Sequence, residues 1–282
     1  MKVVVEEYSP VVKTTQVYYN SDDADNFYYH VWGGEDIHIG LYEGPKEDIA
    51  IASQRTVETM ANQCASQLTP NTRVIDLGSG YGGSARWLAR KYGCDVFCLN
   101  LSEAQNIRNR DISETQKLDS KITVVDGNFE GIPTENGQFD LAWSQDAILH
   151  SGHREKVFQE VDRALKPGGN FIFTDPMQAD DCPSGVLQPV LDRIHLESLG
   201  SFQFYREEAK KLGWEEVAII DHSDQLVNHY TRVRDELLAR RTELSGNVSE
   251  EYMERMIQGL GHWIDAGNQG YLAWGILQFR KP

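Results

Sequence analysis

Val74-Ile75-Asp76-Leu77-Gly78-Ser79-Gly80-Tyr81-Gly82-Gly83 is the stretch on which the reading of this chain turns. The apolar run Arg73–Leu77 reads as a buried strand, and it breaks into a glycine-rich turn before a helical pattern over Ser84–Tyr92. Glycine lets a backbone take positive φ and approach a ligand with no Cβ in the way. Strand, glycine turn and helix in that order place a nucleotide-like ligand at the carboxyl end of a parallel sheet. A lone glycine turn is equally compatible with no ligand, so the flanking segments decide.

Strand patterns recur at Asp95–Leu99, Ile122–Asp126, Phe139–Trp143 and Asn170–Thr174, with helical patterns at Glu103–Leu118 and Arg154–Leu165. The last helix should stop at Lys166-Pro167-Gly168-Gly169 and turn. Such alternation implies βαβ units and a parallel sheet covered on both faces. Two more strands are expected at Glu216–Asp221 and Tyr271–Phe279, with helices at Leu226–Leu244 and Ser249–Ala266 between them, and another helix over 46–67. The expected organisation is an N-terminal helical segment, 1–69, acting as a lid. A single α/β domain, 70–282, would follow, with a helical insert at about 222–268.

The chain has 282 residues and a net charge of −16, from 27 basic and 43 acidic side chains. That surface repels phosphate backbones, and no Lys/Arg run offers a local exception, so nucleic acid is not an expected partner. The apolar runs are strand-sized, so no stable membrane association is expected. Met1–Glu7 lacks a signal peptide's apolar stretch, and a cytoplasmic location is the default. Cys94 and Cys98 do not have zinc-site spacing, and the four cysteines read as small buried hydrophobes, with no metal site.

The second strand runs into Asn100-Leu101-Ser102-Glu103-Ala104-Gln105. Dinucleotide folds often place an acid at this point to hold ribose hydroxyls, and an asparagine amide can bond the same groups. Ser102 and Gln105 also have the spacing of a capping box. The third strand ends in Asp126-Gly127-Asn128-Phe129, where a polar and an aromatic side chain can hold a purine. Gly127-Asn128 also reads as a plain turn. The glycines alternate as Gly78, Gly80 and Gly82 and no Walker lysine follows, so phosphate cradling is not implied.

At these residues the chain resembles the class I S-adenosylmethionine-dependent methyltransferases. Val74–Gly83 resembles that family's glycine motif, Leu99–Gln105 its second loop, and Arg163-Ala164-Leu165-Lys166-Pro167-Gly168-Gly169 its later turn. The resemblance implies a Rossmann-like seven-stranded sheet, the last strand antiparallel, with S-adenosyl-L-methionine as methyl donor. It places Gly78, Ser79, Gly80, Asn100, Leu101, Gln105, Gly127, Asn128, Phe129 and Gln145 on the donor. A narrower resemblance, to sarcosine/dimethylglycine N-methyltransferases, lies in Tyr18–Asp23, Tyr28–Tyr42 and Ser144–Gly152. It implies glycine betaine synthesis, with Tyr19, His38 and Ile39 folding over the donor. Asn100 departs from the usual acid.

An amine acceptor must be neutral to attack, yet aliphatic amines titrate at about 10. His150 and Asp146, just after the fourth expected strand, are the candidates for handling its proton, although His150 also suits a turn satisfied by backbone. Arg193 could fork a substrate carboxylate, and it also reads as a solvated helix position. Tyr28, Trp32, Met177 and Tyr230 could wall the N-methyl groups, while aromatics there also suit a core. The expected partner is a small-molecule amine, and a homodimer is compatible with the sequence. Two other readings stay open: methylation of phosphoethanolamine or another small molecule on N, O or C, and a non-catalytic donor-binding regulatory module.

Overall fold

A computed structural model describes residues 10–194 and 196–282. At its centre is a seven-stranded sheet. The strands are β1 (Arg73–Leu77), β2 (Asp95–Asn100), β3 (Ile122–Asp126), β4 (Phe139–Gln145), β5 (Leu165–Thr174), β7 (Glu215–Asp221) and β9 (Gly275–Arg280). Their spatial order is β3-β2-β1-β4-β5-β9-β7. The first five pair in parallel, and β9 lies antiparallel to both β5 and β7. The chain leaves β1 toward β2 and β3, then returns to β4 on the other side. A crevice therefore opens at the carboxyl ends of β1 and β4, the place where such sheets bind ligands.

Alternation along each strand sorts the apolar side chains onto two faces. Val74, Val96, Leu141 and Ile172 pack with Val57 and Met60 of α3 (Ile49–Gln63) and Leu88 of α4 (Gly83–Tyr92). Ile75, Leu77, Ala142, Phe171 and Phe173 pack on the other face. Their partners there are Val157, Phe158 and Val161 of α6 (Arg154–Ala164), with Tyr205 and Ala209 of α8 (Phe202–Lys211). The inner strands β1, β4 and β9 are buried on both faces, which is why they read as apolar runs rather than alternating ones, while the edge strands β3 and β7 stay partly exposed.

A third core lies above the sheet's carboxyl edge. Phe27 of α2 (Asp22–Phe27), with Tyr28, Val31 and Trp32, packs on α9 (Ser223–Leu244) and α10 (Glu250–Asn268) through Tyr230, Val233, Met253, Leu260 and Trp263. α1 (Pro10–Tyr19) precedes this layer, and α7 (Gln188–Ile194) packs on α10. Ser249 caps α10, and its N–H and hydroxyl both donate to Asp23 of α2. On the sheet side Ser102 caps α5 (Glu103–Thr115) by accepting from Gln105 N–H. Among the described residues no helix is long and apolar enough to cross a membrane.

Two local expectations change. Lys166–Gly169 is not a turn between helix and strand. It is the irregular start of β5, with Leu165 opposite Phe139 and a register shift before Leu141 pairs with Asn170. Tyr271–Phe279 is not one strand. β8 (Leu272–Ala273) pairs with β6 (Met177–Gln178), and only after Trp274 does β9 join the main sheet. Gly275 makes that step possible, because a Cβ there would sit 2.3 Å from the Ile220 carbonyl oxygen.

Candidate active site

Two clefts meet at the carboxyl edge. The first, about 700 Å³ including its mouth, is floored by Gly78, Gly80, Asn100, Gln105, Gly127, Asn128 and Phe129. The turn after β1 has positive φ at Gly78 (+75°) and Gly80 (+52°). A Cβ at Gly78 would lie 2.3 Å from the Ala147 Cβ, so the turn and the loop after β4 touch with no space for a side chain. Asn100 is buried and donates to Gln105 Oε1 at 3.1 Å, leaving Gln105 Nε2 without a partner. A buried amide donor with nothing to bond is costly unless a ligand completes it. The capping geometry and the open donor therefore coexist in one residue.

α1 covers this cleft with Gln16 and Tyr19. Gln16 Nε2 donates to the Leu101 carbonyl at 3.4 Å, and Ser102 Oγ donates to Asn20 Oδ1 at 2.8 Å. The cover is fastened by Asp25 of α2, which accepts from Tyr81 Oη at 2.8 Å and pairs with Arg108 of α5 at 2.5 Å. Tyr81 lies inside the glycine motif itself.

Behind the glycine turn is a recess lined by Asp36, His38, Asp76, Ser79 and Gln145, among others. Asp76 Oδ2, Ser79 Oγ and Gln145 Nε2 are buried there without partners. Burial pushes the Asp76 carboxyl up to about 7. His38 lies 3.7 Å from Asp36, beyond hydrogen-bond reach. Burial opposes charge on His38, but the carboxylates of Asp36 and Asp146 outweigh it and raise its pKa. A recess with unpaired carboxylate oxygens suits a cationic group such as an ammonium.

The second cleft, about 440 Å³, shares Tyr19, Ile37, Asp146 and His150 with the first. Aromatic rings of Tyr28, Trp32, Tyr230 and Trp263 wall it, with Arg193 from α7. Trp32 Nε1, Trp263 Nε1 and Arg193 Nε are buried and unpartnered. Arg193 otherwise reaches toward Met256 Sδ, at 3.7 Å, and among the described residues no carboxylate pairs with it. A half-buried cation and two indole donors left open in one cavity suit an anion.

Asp146 stands at the junction. It adopts φ +50°, a region where aspartate is tolerated and most residues are strained. Its Oδ2 accepts from Ile39 N–H at 2.6 Å and its Oδ1 from Trp274 Nε1–H at 2.7 Å. Burial raises its pKa, while His38 and those two donors pull the other way. Both oxygens are engaged, so the carboxylate ties the Ile37–Ile39 segment to the end of the sheet. His150 Nε2 lies 3.0 Å from Tyr19 Oη, and its Nδ1 is buried and unpartnered. Burial, with the charges of Arg154 and Arg193, pushes the imidazole down to about 4.

Most of the sequence-singled residues come together here. His38 and Ile39 line the recess or the second cleft rather than the first, Leu101 lies at the first, and Met177 stands apart. Met177 was expected as a wall for methyl groups. The β6–β8 ribbon instead pairs it with Ala273 and buries it in the sheet's core. Sequence reading missed Trp263, Trp274 and the Asp25 fastening. Trp263 sits on the apolar stripe of α10 and looks like any core residue, so no spacing marks it.

A methyltransferase domain family model matches residues 75–173. The chain is 58% identical to the sarcosine/dimethylglycine N-methyltransferase of Halorhodospira halochloris, over 96% of each chain. It is 56% identical to the enzyme of that name from Aphanothece halophytica, over 96% of this chain and 98% of that one. A solved structure from Galdieria sulphuraria, a candidate sarcosine dimethylglycine methyltransferase, superposes with a TM-score of 0.89 at 46% identity. It covers 94% of this chain and 98% of its own.

Proposed function

The chain belongs to the sarcosine/dimethylglycine N-methyltransferase family, and from that premise we propose that it methylates the nitrogen of sarcosine and dimethylglycine, giving trimethylglycine (glycine betaine). The donor is S-adenosyl-L-methionine. The observation that carries the acceptor reading is Arg193, unpaired beside two open indole donors in a cavity walled by aromatic rings. An N-methylated amino acid is complementary to it. Its carboxylate takes the guanidinium fork, and its methyl groups face the rings, which attract methylated cations. The cavity is lined by a single arginine and no lysine among the described residues, a poor match for a phosphate ester.

When bound, the donor supplies a methyl group on a sulfonium, so the protein's task is alignment and proton management. In this reading Asn100 and Gln105 hold the ribose hydroxyls, and Asn128 with Phe129 holds the base. The Asp76 recess receives the ammonium of the methionine end, while α1, α2 and the segment through Ile39 serve as the lid; α3 packs on the sheet instead. The acceptor nitrogen must lose its proton before attack. It would then form the bond to the methyl carbon as the carbon–sulfur bond breaks, leaving a thioether and, from dimethylglycine, a quaternary ammonium; from sarcosine the product is a tertiary ammonium that still carries one proton.

We assign that proton to His150, a residue of the second cleft whose Nδ1 is buried without a partner. Burial, with the charges of Arg154 and Arg193, keeps the ring neutral. A substrate carboxylate on Arg193 cancels that charge and raises the basicity of the imidazole, so binding the acceptor prepares its own base. His150→Ala lowers turnover by about 10²-fold, the usual worth of a general base, and lowers donor affinity far less. Steady-state rates and donor titration check this, and unchanged turnover removes His150 from the reaction.

The recess makes donor binding pH-dependent. Asp76 is protonated in the free protein below about 7, and only its charged form pairs with an ammonium. Donor affinity therefore rises with pH through that value and weakens on acidification. Asp76→Asn binds more weakly and loses the pH dependence, as isothermal titration at several pH values would show. A wild-type affinity flat from pH 6 to 8 contradicts this assignment.

The test of the activity is methyl transfer from labelled donor to a panel of glycine, sarcosine, dimethylglycine, phosphoethanolamine and a catechol. Product from sarcosine and dimethylglycine is expected. Product from phosphoethanolamine or catechol alone overturns the proposal.

A further inference from the structure

Gly259 occupies the interior of α10, a 19-residue helix, where glycine lacks a conformational reason to be. Its φ lies outside the positive region that favours glycine. An interior glycine weakens a helix relative to alanine, so something else must keep a side chain out of this position. A Cβ there would lie 2.2 Å from Arg193 Cδ, 2.7 Å from its Nε and 3.0 Å from its Cγ. The atoms in the way belong to the middle of the arginine, not its tip, so a small swing of the guanidinium does not relieve the overlap.

The neighbours on the same helix face complete the picture. Met256 and Trp263 lie one turn before and one turn after Gly259. Met256 Sδ is 3.7 Å from Arg193 Nη2, and Trp263 shares the acceptor cavity with Arg193. The arginine stem thus crosses α10 through a notch whose floor is Gly259. On the far side is an outer cavity of about 1320 Å³, open to solvent, lined by Asp23, Asp192 and Arg255 as well as Gly259 and Arg193. Arg193 lies on the boundary between that cavity and the acceptor cavity, and on the outer side stand the carboxylates of Asp23, which accepts from Ser249, and Asp192, which accepts from Gln188.

We infer that Gly259 is a positioning residue for the acceptor: the notch it leaves in α10 holds the Arg193 guanidinium in the acceptor cavity rather than in the outer one. This rests on the reading of Arg193 as the carboxylate anchor. A methyl group at 259 displaces the stem, and the acids of the outer cavity offer the displaced charge another home. The acceptor then loses its anchor while the donor cleft is untouched, because Gly259 and Arg193 do not line it.

The experiment compares Gly259→Ala, Arg193→Ala and the double variant, with dimethylglycine as acceptor. Gly259→Ala should raise the acceptor KM by about ten- to a hundredfold, as misplacement of a binding group does. The donor Kd should stay within twofold. Its thermal midpoint should hold or rise, since alanine suits a helix interior better than glycine. In the Arg193→Ala background, with no stem to displace, Gly259→Ala should change KM no further. The double variant also answers the case in which the single one fails to fold, because the overlap is gone. An acceptor KM within twofold of wild type in Gly259→Ala overturns the inference, as does a further KM change in the double variant. Wild-type protein that does not methylate dimethylglycine overturns instead the acceptor reading beneath it.

Discussion

Arg193→Ala lowers kcat/KM for dimethylglycine by about two to four orders of magnitude and leaves donor binding intact. A hydrogen bond to a charged group contributes roughly 1.5–3 kcal/mol, and a guanidinium can make two with one carboxylate. Each 1.36 kcal/mol is a factor of about ten in rate, so losing the pair gives the stated range. The loss is large because the acceptor is small, with one carboxylate to hold it and rings to surround it. Arg193→Lys should recover part of the loss, since an ammonium supplies the charge but not the fork. Steady-state kinetics with separate donor titration measures both effects. A change below threefold would remove Arg193 from acceptor binding.

Asp146→Asn produces the broadest loss, with turnover down by about 10²-fold or more and affinity weakened for donor and acceptor together. Asparagine keeps the side-chain shape and tolerates the left-handed backbone, so strain is not the cause. It offers a single accepting oxygen where the carboxylate has two. Either Ile39 N–H or Trp274 Nε1–H then faces an amide NH₂, which costs about 1–3 kcal/mol for the donor left unpaired. Freed from Asp146, the Ile37–Ile39 segment no longer fixes the shared wall of the two clefts. His150→Ala should lower donor affinity far less, so the two variants separate a proton-handling group from an organising one. A variant with intact affinities and lowered turnover alone would assign Asp146 to the proton step instead.

Much of this was legible in the sequence. β1 and β3 fall where their apolar runs predict, and β2 and β4 only extend further; the inner strands, covered on both faces, leave an unbroken signal, and the edge strand β3 keeps its Ile122–Val125 run although it is partly exposed. The donor loops were legible for a related reason. Each follows directly from the end of a strand, so sheet topology alone brings Gly78, Asn100 and Asn128 to one edge. The acceptor cavity was only half legible. Tyr28, Trp32, Arg193 and Tyr230 meet through packing between segments nearly 200 residues apart, which no local pattern encodes. Met177 was misjudged for the same reason: a two-residue ribbon too short to read turns it inward. Asp146 reads as a group that attracts the amine or orients a neighbour, and no local pattern signals that Ile39 and Trp274 engage both its oxygens.

The engagement of Asp146 by an early residue and a late one sets an order in time. Proteins leave the ribosome amino end first, and the sheet strands through β5 can pair before the last of this chain is made. The junction cannot close then, because its second donor, Trp274, follows every other element except β9. During synthesis Asp146 stands with one oxygen unanswered, and the two clefts lack their common wall. A fragment ending before Trp274 would keep the whole glycine motif and still lack a finished reaction centre, so the last strand's arrival is also the moment at which the catalyst comes into being.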